Sequence, residues 1–181
     1  MTETKEHPFV TYLQQRSEDR AMLAALRRGL GQPPGAAPAM FPYVVPFLGS
    51  EVTRWQEETH YMIASLYGLH PQSTMQGNMG THFADLQRQT PDRPTIERRF
   101  IALMAAHPDD LAFQLRQAIS LLKSHEKPVN WHRLMYDVLS WSNPDARTWV
   151  LRQWAAEFWR QPSVASEQEI VQAQNDRVEA F

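Results

Sequence analysis

No cysteine occurs among the 181 residues. That excludes disulfides and thiolate-bound metals and suits a reducing compartment, so a cytoplasmic protein is expected. No apolar run approaches the 18 or more residues of a membrane-spanning helix, and no membrane partner is expected. The opening MTETKEHPF is too polar to read as a secretory signal. Glycine is scarce, at 7 residues, and no stretch alternates β-branched and polar residues between hairpin turns, so no sheet is expected. Chemistry-bearing motifs are equally thin. There is no His-Glu-x-x-His and no Gly-x-Ser-x-Gly elbow, and the GNMG at 77–80 lacks the lysine of a phosphate-binding loop. None of the 7 histidines stands four residues from another, and they read as partly exposed side chains near helix ends. The adjacent carboxylates Glu57–Glu58 and Asp109–Asp110 point about 100° apart on a helix and share no site. These absences point away from an enzyme, and neither cofactor nor metal is expected.

What is present has helical period throughout. Val52, Trp55, Thr59, Met62, Ile63 and Leu66 line one face of a helix from about Glu51 to Leu69. Ile96, Phe100, Leu103 and Met104 make a second stripe, and Leu111, Leu115, Ile119 and Leu122 a third. Trp131, Leu134, Met135, Val138 and Leu139 make a fourth, and Leu151, Trp154, Ala155 and Phe158 a fifth. Pro8 suits the first position of a short opening helix. Ser17 before Glu18 and Asp19 reads as the N-cap of the next helix, which Gly29 and Gly31 stop. Thr95, Asp109 or Asp110, Asn130 and Asn143 are candidate caps for the later ones. The expectation is an all-α fold: one compact bundle of about seven helices with short loops over residues 1–160. An acidic polar tail, free or docked as a loose terminal helix, follows over 161–181. Most of the 6 tryptophans sit at helical spacing beside Leu and Phe and read as core, with Trp141 at a helix end the least buried.

The net charge of −2 conceals an uneven distribution. Residues 9–160 carry 16 basic and 14 acidic side chains, and 15 of the 18 basic residues are arginine, which suits bidentate contact with phosphate or carboxylate. The stretch AALRRGLGQPPG, residues 24–35, places Arg27 and Arg28 at the end of a helix. Arg20, seven residues earlier, projects from the same face as Arg27, about 20° away. Arg99, Arg116, Lys123 and Arg133 flank apolar stripes, with Arg116 and Lys123 again seven apart. Two readings stand side by side: cations that serve helix dipoles and ion pairs, or a surface that holds a polyanion.

Five stretches then come in a telling order: LRRGLG at 26–31, ERRFIALM at 97–104, LAFQLRQAISLLKS at 111–124, VNWHRLMYDVLSW at 129–141 and WVLRQWAAEFW at 149–159. Together they resemble the CasB family, the small subunit of the type I-E CRISPR surveillance complex called Cascade. The resemblance covers roughly residues 8–160, and Gln117 stands where some members carry a second arginine. It implies a non-catalytic, all-helical subunit in antiviral defence, present as two copies. Its implied neighbours are the Cascade large subunit and backbone subunits, a second copy of itself, guide RNA and target DNA, whose R-loop it helps to hold without reading sequence. The basic surface it implies maps onto Arg27 and Arg28, with Arg54, Arg99, Arg116, Lys123 and Arg133. The alternative is a scaffold that binds only protein.

Overall fold

Pro8 occupies the first position of the opening helix, α1 (Pro8–Gln15), and His7 caps it, Nδ1 accepting from the Phe9 N–H at 3.3 Å. The structure is a computed structural model and describes residues 5–160. The stretch 161–181, expected to be a tail or terminal helix, lies outside the described residues.

Helix α2 (Arg20–Arg27) is followed by the short α3 (Phe41–Val44) and the long α4 (Arg54–Leu69). Then come α5 (Met79–Gln89), α6 (Arg93–Met104), α7 (Leu111–Ser124), α8 (Trp131–Leu139) and α9 (Pro144–Trp159). Single 3₁₀ turns precede α3 and α7 and follow α3 and α8. Among the described residues there is no strand, only an isolated bridge between Ser73 and Val129. The all-α expectation holds, but among the described residues nine α-helices replace about seven. The two extra are α3, a single turn between Pro42 and Pro46, and α5. In α5 the inward positions are Met79, His82, Phe83 and Leu86. A histidine stands in the apolar row, which weakens the periodic signal.

Side-chain caps fix most boundaries. Asn130 and Asn143 accept from backbone N–H groups at the starts of α8 and α9 as expected. Three expected starts move. Asp19, not Ser17, caps α2 by accepting from Met22 N–H at 2.9 Å. Thr53 and Gln56 form a capping box, so α4 begins at Arg54 rather than near Glu51. Asp92, not Thr95, caps α6, because Pro94 fits within the first turn and lets the helix start earlier.

The core has two centres. Helix α4 packs against α1, α2, α3 and α8, and α5 packs against α6 and α9; α7 touches α4, α5 and α6 and joins the halves. Two glycines permit the closest crossings. A Cβ on Gly68 of α4 would lie 3.0 Å from the Arg27 backbone N on α2, and one on Gly80 of α5 would lie 1.9 Å from the Trp154 carbonyl oxygen on α9. Trp131, Trp141 and Trp154 are fully buried and Trp55 is half-buried. Trp149 and Trp159 are exposed, so the core expectation is corrected for the two on the outer face of α9, while Trp141 belongs to the core. The histidines also depart from expectation, since His60, His70, His82 and His132 are buried.

Candidate nucleic-acid interface

Met22, Leu23 and Leu26 bury one face of α2 and fix which way its arginines point. The Gly68 crossing brings the end of α2 against the last turn of α4. There Arg27 Nη1 donates to the Gly68 carbonyl at 3.5 Å, at the long limit of a hydrogen bond. Arg27 thus does face a helix C-terminus, but that of α4 rather than its own. Arg28 is the exposed C-cap of α2. The chain then turns through Gly31, whose φ is +74°, and Arg116 from α7 lies against that glycine. A Cβ on Gly31 would stand 2.7 Å from Arg116 Nη1, a contact the flexible guanidinium could relieve; it is the positive φ that calls for glycine here.

Lys123 projects from the same face of α7, seven residues and about 10 Å further on. Its charge is felt by His70, the C-cap of α4. Burial pushes the His70 imidazole below its ordinary pKa; the hydrogen bond of Nε2 with the Lys127 carbonyl at 2.7 Å opposes this, and Lys123 adds to the lowering.

Arg27, Arg28, Arg116 and Lys123 therefore gather around the C-terminal ends of α2 and α4. None forms an ion pair with a carboxylate among the described residues. Two helix ends supply about half a negative charge each. Four cations exceed that by about three charges, so dipole capping does not account for them all. Arg20, exposed and without an ion pair at the first position of α2, extends the line from the other end of that helix. Arg99 is exposed and has no ion pair on α6, with no contact that places it beside the four.

Arg54 and Arg133 differ in kind. Arg54 Nε meets Glu58 Oε1 at 2.7 Å at the opposite end of α4. Arg133 Nε meets Asp137 Oδ1 at 2.9 Å, and Asp137 is only 2% exposed. Burial pushes the Asp137 carboxyl above the ordinary carboxylate range, while Arg133 and the Trp154 indole N–H, 2.7 Å from Oδ2, pull it back. Both arginines have an acid four residues downstream, a signal visible in the sequence that separates them from Arg20, Arg27, Arg28, Arg99 and Arg116.

The buried histidines serve the fold. The His7 backbone N–H donates to His132 Nδ1 at 2.8 Å and the Asn130 N–H to His82 Nε2 at 3.0 Å. Burial pushes both His7 and His82 down to about 4. Among the described residues no group of three His, Asp or Glu side chains is placed to hold a metal. No described helix is long and apolar enough to cross a membrane.

Comparison with known proteins agrees with this architecture. The family model for CRISPR-associated protein Cse2 matches residues 22–159. A CRISPR-associated protein Cse2 of Thermus thermophilus is 39% identical over 140 residues, which cover 77% of this chain and 79% of that protein. The crystal structure of CasB from M. ruber superposes with a TM-score of 0.71 at 32% identity, covering 90% of this chain and 95% of the other. A chain of a CRISPR RNA-guided surveillance complex shares the fold with a TM-score of 0.73 at 22% identity, over 89% and 99% of the two chains.

Proposed function

The chain belongs to the Cse2 family of CRISPR-associated proteins, and from that premise we propose that it is the non-catalytic small subunit of Cascade. It grips nucleic-acid backbones and so stabilises the R-loop of guide RNA and target DNA. The observation that carries this is the meeting of Arg27, Arg28, Arg116 and Lys123, from two separate helices, with no ion pair to a carboxylate among the described residues. Where base pairing with a guide reads the sequence, a protein subunit need only contact backbones. Guanidinium groups held by rigid helices do that without reading bases. The body of the subunit is close to neutral, which suits docking among the large subunit, the backbone subunits and a second copy. The cytoplasm, where guide and target meet, is the expected site of action.

The isolated protein should bind single- and double-stranded nucleic acid weakly and without sequence preference. With four phosphate contacts, the slope of log affinity against log salt should be about −3 to −4. The double reversal Arg27→Glu and Arg28→Glu should weaken binding at low salt about tenfold or more while circular dichroism stays unchanged. Wild-type affinity that does not respond to salt sinks the proposal.

A protein-binding scaffold is the second reading, and one observation favours it. Residues 29–50 contain no charged side chain, and Phe41 and Val45 are exposed within them. Depletion of charge around exposed aromatic and aliphatic groups is typical of protein interfaces. The two readings separate on the charge reversal. If it blocks incorporation into the complex but leaves nucleic-acid affinity intact, the arginines meet acidic protein neighbours instead.

A further inference from the structure

All six tryptophans lie among the described residues, and five donate the indole N–H to a protein oxygen. Trp55 meets the Val138 carbonyl, Trp131 that of Gln72, Trp141 that of Ala106, Trp154 the Asp137 carboxylate and Trp159 the Glu97 carboxylate. Trp149 is the exception: its N–H meets no protein acceptor among the described residues, and the side chain is 55% exposed.

The ring is nevertheless held in place. The Arg133 guanidinium lies over it, Cζ 5.5 Å from the ring centroid. Arg133 is itself fixed to the buried Asp137, which also fastens the neighbouring Trp154 of α9. Val150, Trp154 and Phe158 anchor the inner side of α9. One face of the indole is thus backed by a cation, while more than half of the residue stays exposed. Along α9 the surroundings are open: Ala156, two turns on, is exposed and small. The exposed Arg152, three residues on, has no ion pair among the described residues. Asp145, four residues back, lies in the first turn of α9, where the helix dipole favours it, and Glu157, two turns on, is paired with Arg160.

We propose that Trp149 is a stacking platform for one unpaired nucleobase, with Arg152 placed for the adjoining phosphate. A base offers a flat π-face next to an anionic backbone, which matches an indole face beside a guanidinium. Stacking of this kind tolerates any base. The platform stands on α8 and α9, whereas the cation cluster stands on α2 and α7, so the two are separate contacts. This inference rests on the nucleic-acid-holding reading above, and the test keeps the two failures apart.

The full chain is titrated, by fluorescence anisotropy, with a thymidine oligomer and with an abasic oligomer of equal length. Backbone contacts are common to both; only stacking distinguishes them. Wild type should bind the thymidine oligomer about tenfold more tightly. Trp149→Ala should remove that ratio while leaving abasic affinity in place, and Trp149→Phe should retain most of it. Arg27→Glu with Arg28→Glu should lower both affinities and keep the ratio. An unchanged ratio in Trp149→Ala, or an equal loss for both oligomers, overturns the platform but not the cluster. Loss of complex incorporation in Trp149→Ala with both affinities intact assigns the ring to a protein neighbour and overturns it too. No binding of either oligomer by wild type overturns both proposals.

Discussion

The two ends of α4 carry the same kind of charge in opposite states. At its start Arg54 is held by Glu58, one turn along the same helix. At its end Arg27 reaches over from α2 to a carbonyl, with Arg28, Arg116 and Lys123 close by and no carboxylate among them. Arg133 on α8 repeats the first arrangement in a buried setting. The acids four residues after Arg54 and Arg133 take up those charges within the same helix. Arg27, Arg28 and Arg116 have no such acid and form no ion pair among the described residues. The contrast explains why a chain of net charge −2 can still present a cationic surface.

The comparison breaks most severely at Asp137. Asp137→Ala strands the Arg133 charge and leaves the Trp154 indole N–H unpaired, and should cost about 3 kcal/mol of stability in urea denaturation. The folded fraction should keep its salt slope, because Arg133 stands outside the cluster; a change of slope in step with the loss of stability would merge the two regions.

Acid strains the fold rather than the cluster. The folded-state pKa of His82 is about 4 against 6.5 in the unfolded chain. As pH falls, the unfolded state takes up the proton first. Stability is therefore complete above about 6.5 and declines from there to about 4, by on the order of 3 kcal/mol. Chemical denaturation at a series of pH values should show this decline, and His82→Gln should make it shallower while the share of His7 remains.

Gly68→Ala touches both regions at once. The added methyl would stand 2.8 Å from Leu26 Cβ, forcing α2 away from α4 at a cost of about 1–2 kcal/mol. It should also weaken polyanion binding, since Arg27 moves with α2. The smallest effect sharpens the contrast most. Arg54→Ala should leave the melting temperature and the salt slope unchanged, whereas Arg27→Ala should shift the slope by about 0.9 towards zero.

The helical periods, the Asn130 and Asn143 caps and the absence of a sheet among the described residues were legible in the sequence because each depends on near neighbours. Helix α5 was hard to read because His82, a polar side chain, stands in its apolar row. Which tryptophans face outward was not legible, since Trp149 and Trp154 share one helix and one neighbourhood of residue types; packing against α5 and α8 decides between them. The cluster was half legible. The lack of local acids marks Arg27, Arg28 and Arg116, but that Arg116 lies against Gly31 is a fact of tertiary structure. The i, i+4 acids after Arg54 and Arg133 were readable throughout and set those two apart.

The wedge of Arg116 against Gly31 joins segments eighty-five residues apart, and that spacing has a consequence for synthesis. A ribosome delivers Arg27 and Arg28 early, but Arg116 can close against the loop that follows them only after α7 has left the exit tunnel. Until then the surface proposed to hold a polyanion has only its first two cations.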